Sequence, residues 1–167
     1  LDHDLAAVPR APGGTFRQRV SQWMHRRRVR ALRRGGQDPP RSTDIDHVVV
    51  IPIAREAREI FEPGIRSLVQ QRFPSQRILV VLAVEERAPA DIRAAAGEVR
   101  QLYREHFLDV LVVLHPDGLP GEARVKGANA TYAAKAAATY LQDRGIPFDH
   151  VTLSCFDADT VVSPEYF

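Results

Sequence analysis

The chain has 167 residues, of which 44% are hydrophobic and 26% are charged. This length and composition are typical of one globular domain with a buried core. No apolar run approaches the roughly 20 residues that span a bilayer, and no secretory signal peptide is visible. The single cysteine, Cys155, cannot form an intramolecular disulfide, which indicates a reducing compartment. Because Cys155 lies in an apolar run, we expect it to be a small buried core residue.

The formal net charge of +2 conceals an asymmetry. Residues 15–36 hold eight arginines and no acid, so subtracting eight from +2 leaves −6 for the remainder of the chain. The segment predicts a basic helix that Thr15 caps and that Gly35 and Gly36 end. Its helical spacing places four apolar side chains in a stripe, namely Phe16, Val20, Trp23 and Met24.

Three interpretations of this basic amphipathic helix are open. Residues 16–34 suit an anionic membrane surface, because arginines attract lipid phosphates and tryptophan favours the interface. Contact with nucleic acid is the less favoured alternative. The third interpretation is a helix docked on the domain with its arginines in water. Residues 35–44 contain Pro39-Pro40 and predict a linker, so we divide the chain into residues 1–44 and 45–167.

The remainder alternates between strand and helix patterns. Short apolar runs predict strands over His47–Ile53, Ile78–Val84, Leu108–Leu114 and His150–Phe156. Helical spacing predicts helices over Glu56–Arg72, Pro89–His106 and Gly121–Arg144, with a break or the true start of the first helix near Pro63. In the second of these helices, Leu102 is expected to lie on the apolar side. Buried strands separated by helices predict an α/β fold, a mostly parallel sheet with helices on both faces and right-handed crossovers.

In an open α/β sheet, ligands bind beyond the carboxyl ends of the strands. That rule selects four segments here: Pro52–Glu56, Val84–Arg87, His115–Lys126 and Asp157–Thr160. They contain groups that suit a nucleotide, because acids accept hydrogen bonds from a base or ribose and lysine pairs with phosphate. These groups are Glu56, Glu85, Glu86, Lys126, Asn129, Asp157 and Asp159.

The aspartate pair is the most informative of these groups. Carboxylates at i and i+2, just past a strand expected to be buried, suit a divalent cation and the phosphates it neutralises. Val162 occupies the position at which an EF-hand loop requires glycine. The glycine fingerprints of dinucleotide-binding and phosphate-binding loops are absent from the sequence. The six histidines show no zinc spacing, and His115, at the end of a strand, is the one of most interest.

Four segments together resemble the first half of the family 2 glycosyltransferases, which have the GT-A fold. They are Val49–Glu56, Ser67–Pro74, Lys126–Asn129 with the alanine-rich helix after it, and Phe156–Thr160 with Ser163–Phe167. The second is similar to the family's "SLxxQxxP" helix end, and the fourth to its metal-binding DxD motif. The resemblance covers about residues 46 to 167.

The resemblance implies a role for each matched residue. Asp159 would coordinate Mn²⁺ or Mg²⁺ that bridges the diphosphate of a UDP- or GDP-sugar. Asp157 would contact the ribose or assist the metal. Pro52 and Glu56 would border the base and ribose, while Lys126 and Asn129 would lie beside the diphosphate.

The sequence departs from the family pattern in two places. Ala54-Arg55 stands where an aromatic-Asn pair is usual. Val84–Arg87 stands where an Asp-Asp-Gly-Ser turn is common, so the expected role of Glu85 as the base-binding acid has less support. Both departures leave the identity of the nucleotide open.

We therefore predict the donor-binding half of an inverting, metal-dependent glycosyltransferase. The chain begins with leucine and ends shortly after the metal motif, which suggests a piece of a longer protein. The catalytic base is expected beyond Phe167, so this piece should bind nucleotide and transfer little sugar alone. The alternatives are a non-catalytic nucleotide-binding module and a basic-helix module that binds membrane or nucleic acid. The expected location is cytoplasmic, at the inner face of the plasma membrane if the basic helix binds there.

Overall fold

A computed structural model describes residues 16–36, 40–118 and 126–167. The chain divides into two compact units, residues 1–45 and residues 46–167, and we call the second unit the body. Among the described helices, none combines the length and the apolar character that crossing a membrane requires.

In the first unit, helix α1 covers Phe16–Arg34. The amide N–H of Gly35 donates to the carbonyl of Ala31 at 3.1 Å, which closes the last turn. Gly36 then has a φ of +71°, a left-handed conformation that glycine adopts at little cost. The predicted helix end is therefore confirmed. The predicted cap at Thr15 lies outside the described residues.

The body alternates strand and helix along the chain, as the sequence predicts. Its elements are β1 (Asp46–Ile53), α2 (Arg58–Val69), β2 (Ile78–Glu85), α3 (Ala90–Tyr103), β3 (Asp109–His115), α4 (Lys126–Asp143) and β4 (Val151–Cys155). The four strands of the described residues are all parallel and lie in the order β3-β2-β1-β4. The predicted α/β fold with a parallel sheet is confirmed.

Helices cover both faces of this sheet. Side chains alternate between the faces, because successive residues of a strand point in opposite directions. On one face, residues of β1 and β2 pack with Phe61, Ile65 and Leu68 of α2 and with α3. On the other face, Val48, Val50, Leu79 and Val81 pack with Ala133, Ala137 and Leu141 of α4. The connections through α2 and α3 lead from β1 toward β3 over one face of the sheet. The connection through α4 leads the opposite way across the sheet, to β4, over the other face, so the three crossovers have the same handedness.

Helix α2 corrects one expectation. The helix begins at Arg58 and runs through Pro63 without a break. Proline lacks the N–H of one intrahelical hydrogen bond, which costs about 3 kcal/mol in a helix interior. Two kinds of contact offset that cost. The guanidinium of Arg58 pairs with Glu62 at 2.6 Å, and Phe61 and Ile65 are fully buried.

Strand β4 corrects a second expectation. Within the described residues β4 pairs with β1 alone and is an edge strand, with Leu153 54% exposed. The expectation that Cys155 is buried is wrong, because its side chain is exposed. Apolar composition predicts a strand but does not say which strands lie at the edge. Leu102, expected on the apolar side of α3, is also exposed.

His47 makes the stability of the body depend on pH. Its half-buried ring lies 4.6 Å from the ring of Phe73 and 4.3 Å from that of Phe167. Burial lowers the pKa of His47 from its ordinary value of 6.5, with Asp46 opposing and Arg77 reinforcing the shift. At His47, the unfolded chain therefore binds a proton more readily than the folded chain. The contribution of neutral His47 to the free energy of unfolding is complete above pH 6.5 and is lost as pH falls below it.

We expect the free energy of unfolding of the His47→Gln variant to change less between neutral and mildly acidic pH than that of the wild type. Urea denaturation at a series of pH values measures this difference. His106→Gln, at an exposed histidine, is the control and should keep the wild-type pH profile. A wild-type profile in the His47 variant would contradict the assignment.

Candidate nucleotide and metal site

The strand order places the candidate site between β1 and β4. From β1 the chain continues to β2 on one side of β1, and it later returns to form β4 on the other side. The order of the strands therefore reverses between β1 and β4, which makes this pair the topological switch point. Such points leave a crevice beyond the strand ends. The loop after β1, which contains Glu56, and the turn Asp157–Thr160 leave the sheet here, and Pro52 is the last residue but one of β1. The loop after β2 lies one strand away, and the loop after β3 lies two strands away.

Pro52 explains why β4 ends where it does. The amide N–H of Phe156 donates to the carbonyl of Val50 at 2.9 Å, so Val50 faces β4. The N–H and C=O of a strand residue point to the same side, and alternate residues face the same neighbour, so the nitrogen of Pro52 also faces β4. Proline has no N–H to donate. The pairing stops there, and Asp157 leaves the sheet beside Pro52.

Both aspartates project outward from one turn. Buried and exposed residues alternate along this turn. Phe156 and Ala158 are buried in the core that includes α2, and Asp157 and Asp159 are exposed. The amide N–H of Thr160 donates to the carbonyl of Asp157 at 3.0 Å and closes the turn. The two carboxylates are therefore presented to solvent at the switch point, from backbone fixed by buried neighbours.

Glu56 shapes the loop on the β1 side of the crevice. Its Oε2 atom accepts hydrogen bonds from the amide N–H groups of Ala54 and Arg55, at 2.6 and 3.0 Å. The carboxylate thus folds back over its own loop and satisfies two backbone donors. The structure places Glu56 beside the switch point, and its expected contact with a ribose stays a prediction.

The two acids after β2 make contacts within the protein. Glu85 forms an ion pair with Arg87, and this hydrogen bond raises the pKa of the Arg87 guanidinium. Glu86 accepts a hydrogen bond from the amide of Asp117 at 3.1 Å, and its own amide donates to the carbonyl of His115 at 2.9 Å. These bonds join the loops after β2 and β3. The expected role of Glu85 at a nucleotide base stays a prediction.

Asn129 lies in the first turns of α4, against the end of β2. Its side chain is 2% exposed, and Nδ2 donates to the carbonyl of Ala83 at 2.8 Å, which fixes the orientation of the amide. Within the described part of the chain, Oδ1 has no hydrogen-bond partner. A buried acceptor without a donor costs about 1–3 kcal/mol. Lys126 is the first residue of α4, and its side chain lies outside the described structure.

Helix α2 holds the segment that follows the aspartates, residues 160–167. A Cβ atom added to Gly64 would lie 2.5 Å from the carbonyl oxygen of Thr160, so only glycine allows this approach. One turn later, the hydroxyl of Ser67 donates to the carbonyl of Gly64 at 2.6 Å and accepts from the amide of Val162 at 3.1 Å. The aspartate turn is thereby fixed from its carboxyl side.

The residues just after α2 continue this attachment. Gln71 donates from Nε2 to the carbonyl of Ser163 at 2.7 Å and accepts at Oε1 from the amide of Tyr166 at 3.2 Å. The amide of Arg72 donates to the carbonyl of Pro164 at 2.8 Å. Ser67 and Gln71 belong to the family-like segment Ser67–Pro74, but the sequence pattern predicts no role for either side chain. A glycine inside a helix was the available signal, because such residues mark close backbone contacts.

The carboxylates of Asp157 and Asp159 suit a divalent cation that is also bound by substrate phosphates and water. Carboxylate oxygens are the ligands that Mg²⁺ and Mn²⁺ prefer. Across the described ranges, no group of three or more His, Cys, Asp or Glu side chains lies close enough together to hold a metal. Mg²⁺ is commonly held by one or two carboxylates together with substrate phosphates and water. The aspartate pair fits that arrangement and does not form a complete protein cage.

No protein-family model matches the chain, and no curated protein sequence matches it. Among solved structures, the fold is similar to the mannosyltransferase PcManGT from Pyrobaculum calidifontis in complex with GDP-Man and Mn²⁺, with 21% sequence identity and a TM-score of 0.40. The alignment covers 68% of this chain and 27% of that protein. A likeness at this level does not establish a family or an activity.

The contact between Gly64 and Thr160 predicts an unusual response to alanine. In a helix interior, glycine to alanine normally stabilises by up to about 1 kcal/mol. For Gly64→Ala we instead expect the free energy of unfolding to fall by about 1–3 kcal/mol, because the new Cβ displaces the backbone of Thr160. Urea denaturation measures the change.

Gly97→Ala in α3 is the matched control. A Cβ atom at Gly97 meets nothing within 4 Å, so this variant should be at least as stable as the wild type. If both variants gain stability equally, α2 does not hold the aspartate turn through Gly64.

Proposed function

We propose that the body binds a nucleotide-diphosphate sugar and is the donor-binding part of an inverting, metal-dependent glycosyltransferase. The observation that carries this proposal is the exposed pair Asp157 and Asp159 at the switch point of a parallel sheet, on a turn that α2 holds in place. The resemblance of the four sequence segments supports the same assignment.

The charge of the chain supports a cation between protein and ligand. Outside residues 15–36 the net charge is −6, the remainder after the eight arginines are taken from +2. Asp157 and Asp159 contribute to that negative charge, so they repel an approaching diphosphate unless a cation neutralises the contact. When bound, a divalent cation stabilises negative charge on the leaving diphosphate. In this proposal, a carboxylate oxygen of Asp159 coordinates the cation. Asp157 assists in holding the cation or accepts a hydrogen bond from a ribose hydroxyl.

The other site residues surround the same crevice in the proposal. Pro52 and the Glu56-ordered loop border the base and ribose. The Oδ1 of Asn129, for which the described residues supply no donor, would accept a hydrogen bond from the ligand, and Lys126 is assigned to the diphosphate by the resemblance. Glu85 is assigned to the base. The membrane expectation concerns α1, a separate part of the chain, and is independent of donor binding.

A second candidate function is a non-catalytic nucleotide-binding module. The ion pair between Glu85 and Arg87 favours it, because Glu85 already has a protein partner where the proposed enzyme would bind a base. Such a module binds nucleotide but supports no sugar transfer. An assay of sugar transfer therefore distinguishes the two candidates, while calorimetry tests the nucleotide binding that they share.

We expect UDP or GDP to bind the wild type more tightly with Mn²⁺ than without it. Asp159→Ala should reduce the affinity measured with Mn²⁺ to the level measured without it, because the main oxygen ligand is lost. Isothermal titration calorimetry of both nucleotides, in the presence and absence of Mn²⁺, gives these affinities.

Asp149→Ala is the control, since Asp149 is exposed and precedes β4 at the opposite end of the same strand. This variant removes one carboxylate and should retain the metal dependence. Equal affinities for wild type and Asp159→Ala under every condition would refute the metal role. Tight nucleotide binding that does not depend on Mn²⁺ would contradict the metal dependence of the proposed enzyme.

A further inference from the structure

We propose that helix α1 binds the anionic surface of a lipid bilayer and lies in the plane of the interface. Its apolar side chains would enter the head-group region while its arginines contact lipid phosphates. This interaction goes beyond donor binding and does not depend on it.

An exposed apolar face supports the proposal. Val20, Trp23 and Met24 are spaced at i, i+3 and i+4, which places them on one face of α1. All three are exposed, and Trp23 is 59% exposed. Large apolar side chains left in water at adjacent positions mark an interaction surface rather than a core. Tryptophan in particular is enriched at the boundary between membrane and water.

The charge of α1 gives the surface its chemistry. The helix contains eight arginines and no acid, and Arg27, Arg28, Arg30 and Arg34 are exposed. Like charges at i and i+4, such as Arg30 and Arg34, destabilise a helix. An anionic partner removes that repulsion. Guanidinium groups also bind phosphate oxygens through two parallel hydrogen bonds.

The apolar face and the arginines occupy a continuous side of α1. Arg27, Arg30 and Arg34 follow Trp23 at i+4, i+7 and i+11, so they extend the same face toward the helix end. The guanidinium carbon of Arg27 lies 5.5 Å from the centre of the Trp23 ring. One side of the helix therefore presents an aromatic ring and cations together, which suits a head-group layer.

This arrangement favours a membrane over nucleic acid. The phosphates of a nucleic acid would pair with the arginines, but they would leave the exposed apolar side chains in water. A bilayer interface satisfies both. The number of arginines also rules out insertion of α1 across the bilayer, because each charge at the membrane centre is costly. The helix is therefore expected to lie on the surface.

The chain contains a built-in reporter of this interaction. Trp23 is the only tryptophan of the sequence, so the tryptophan emission of the full 167-residue protein reports α1 alone. The probes are phosphatidylcholine vesicles with and without phosphatidylserine, and a short DNA duplex. We expect a blue shift and co-sedimentation with the phosphatidylserine vesicles at physiological salt, and weaker binding in high salt.

Substitutions test which charges are responsible. For Arg30→Gln combined with Arg34→Gln we expect vesicle partitioning to fall by at least about tenfold, since each basic residue contributes about fivefold. Arg93→Gln combined with Arg104→Gln removes two exposed arginines of the body and should bind vesicles as the wild type does. Glutamine retains helix propensity, and circular dichroism confirms that α1 is formed.

Three results would overturn the proposal. The first is the absence of both blue shift and co-sedimentation with phosphatidylserine vesicles. The second is an equal loss of binding in the α1 and body variants, which would indicate attraction by overall charge alone. The third is tighter binding to the DNA duplex than to the vesicles at the same salt concentration, which would assign α1 to nucleic acid.

Discussion

The candidate site depends on the close approach of the Gly64 backbone to the Thr160 carbonyl. A side chain at position 64 would collide with this oxygen at 2.5 Å, so the turn that carries Asp157 and Asp159 can lie against α2 only because glycine stands there. Pro52 supplies the complementary constraint, because it ends the pairing of β4 and releases the chain into that turn. Neither residue contributes a functional group, yet together they determine where the carboxylates stand.

Much of the fold is readable from the sequence, because apolar runs and helical spacing report burial directly. The predicted strand ends located the residues at the crevice, namely Pro52 at the end of β1, Glu56 in the loop after it and the two aspartates after β4. The position of β4 at the edge was not predictable in this way, because composition is local and strand order is a property of the whole sheet. Helix α2 began earlier than Pro63 suggested, because Arg58 and the buried Phe61 stabilise its first turn.

The side-chain contacts within the site were the least predictable part. The bonds from Ser67 and Gln71 to residues 160–167 join positions more than 90 residues apart, and no local pattern encodes such pairs. Similarly, Glu56 and Glu85 are predicted from the sequence to contact a nucleotide, whereas the structure shows that each has protein partners. A residue type can indicate the chemistry of a site, but only the three-dimensional arrangement shows which groups are already engaged.

The attachment of residues 160–167 to α2 has a consequence for binding energetics. This segment has no regular secondary structure, but its amides bond to Ser67 of the packed helix α2 and to Gln71 just after that helix, so the segment is fixed to rigid structure. The entropy lost in ordering the backbone that carries the two carboxylates is therefore spent during folding, before any ligand arrives. The turn is preorganised, and a ligand that binds there retains more of its contact energy as affinity.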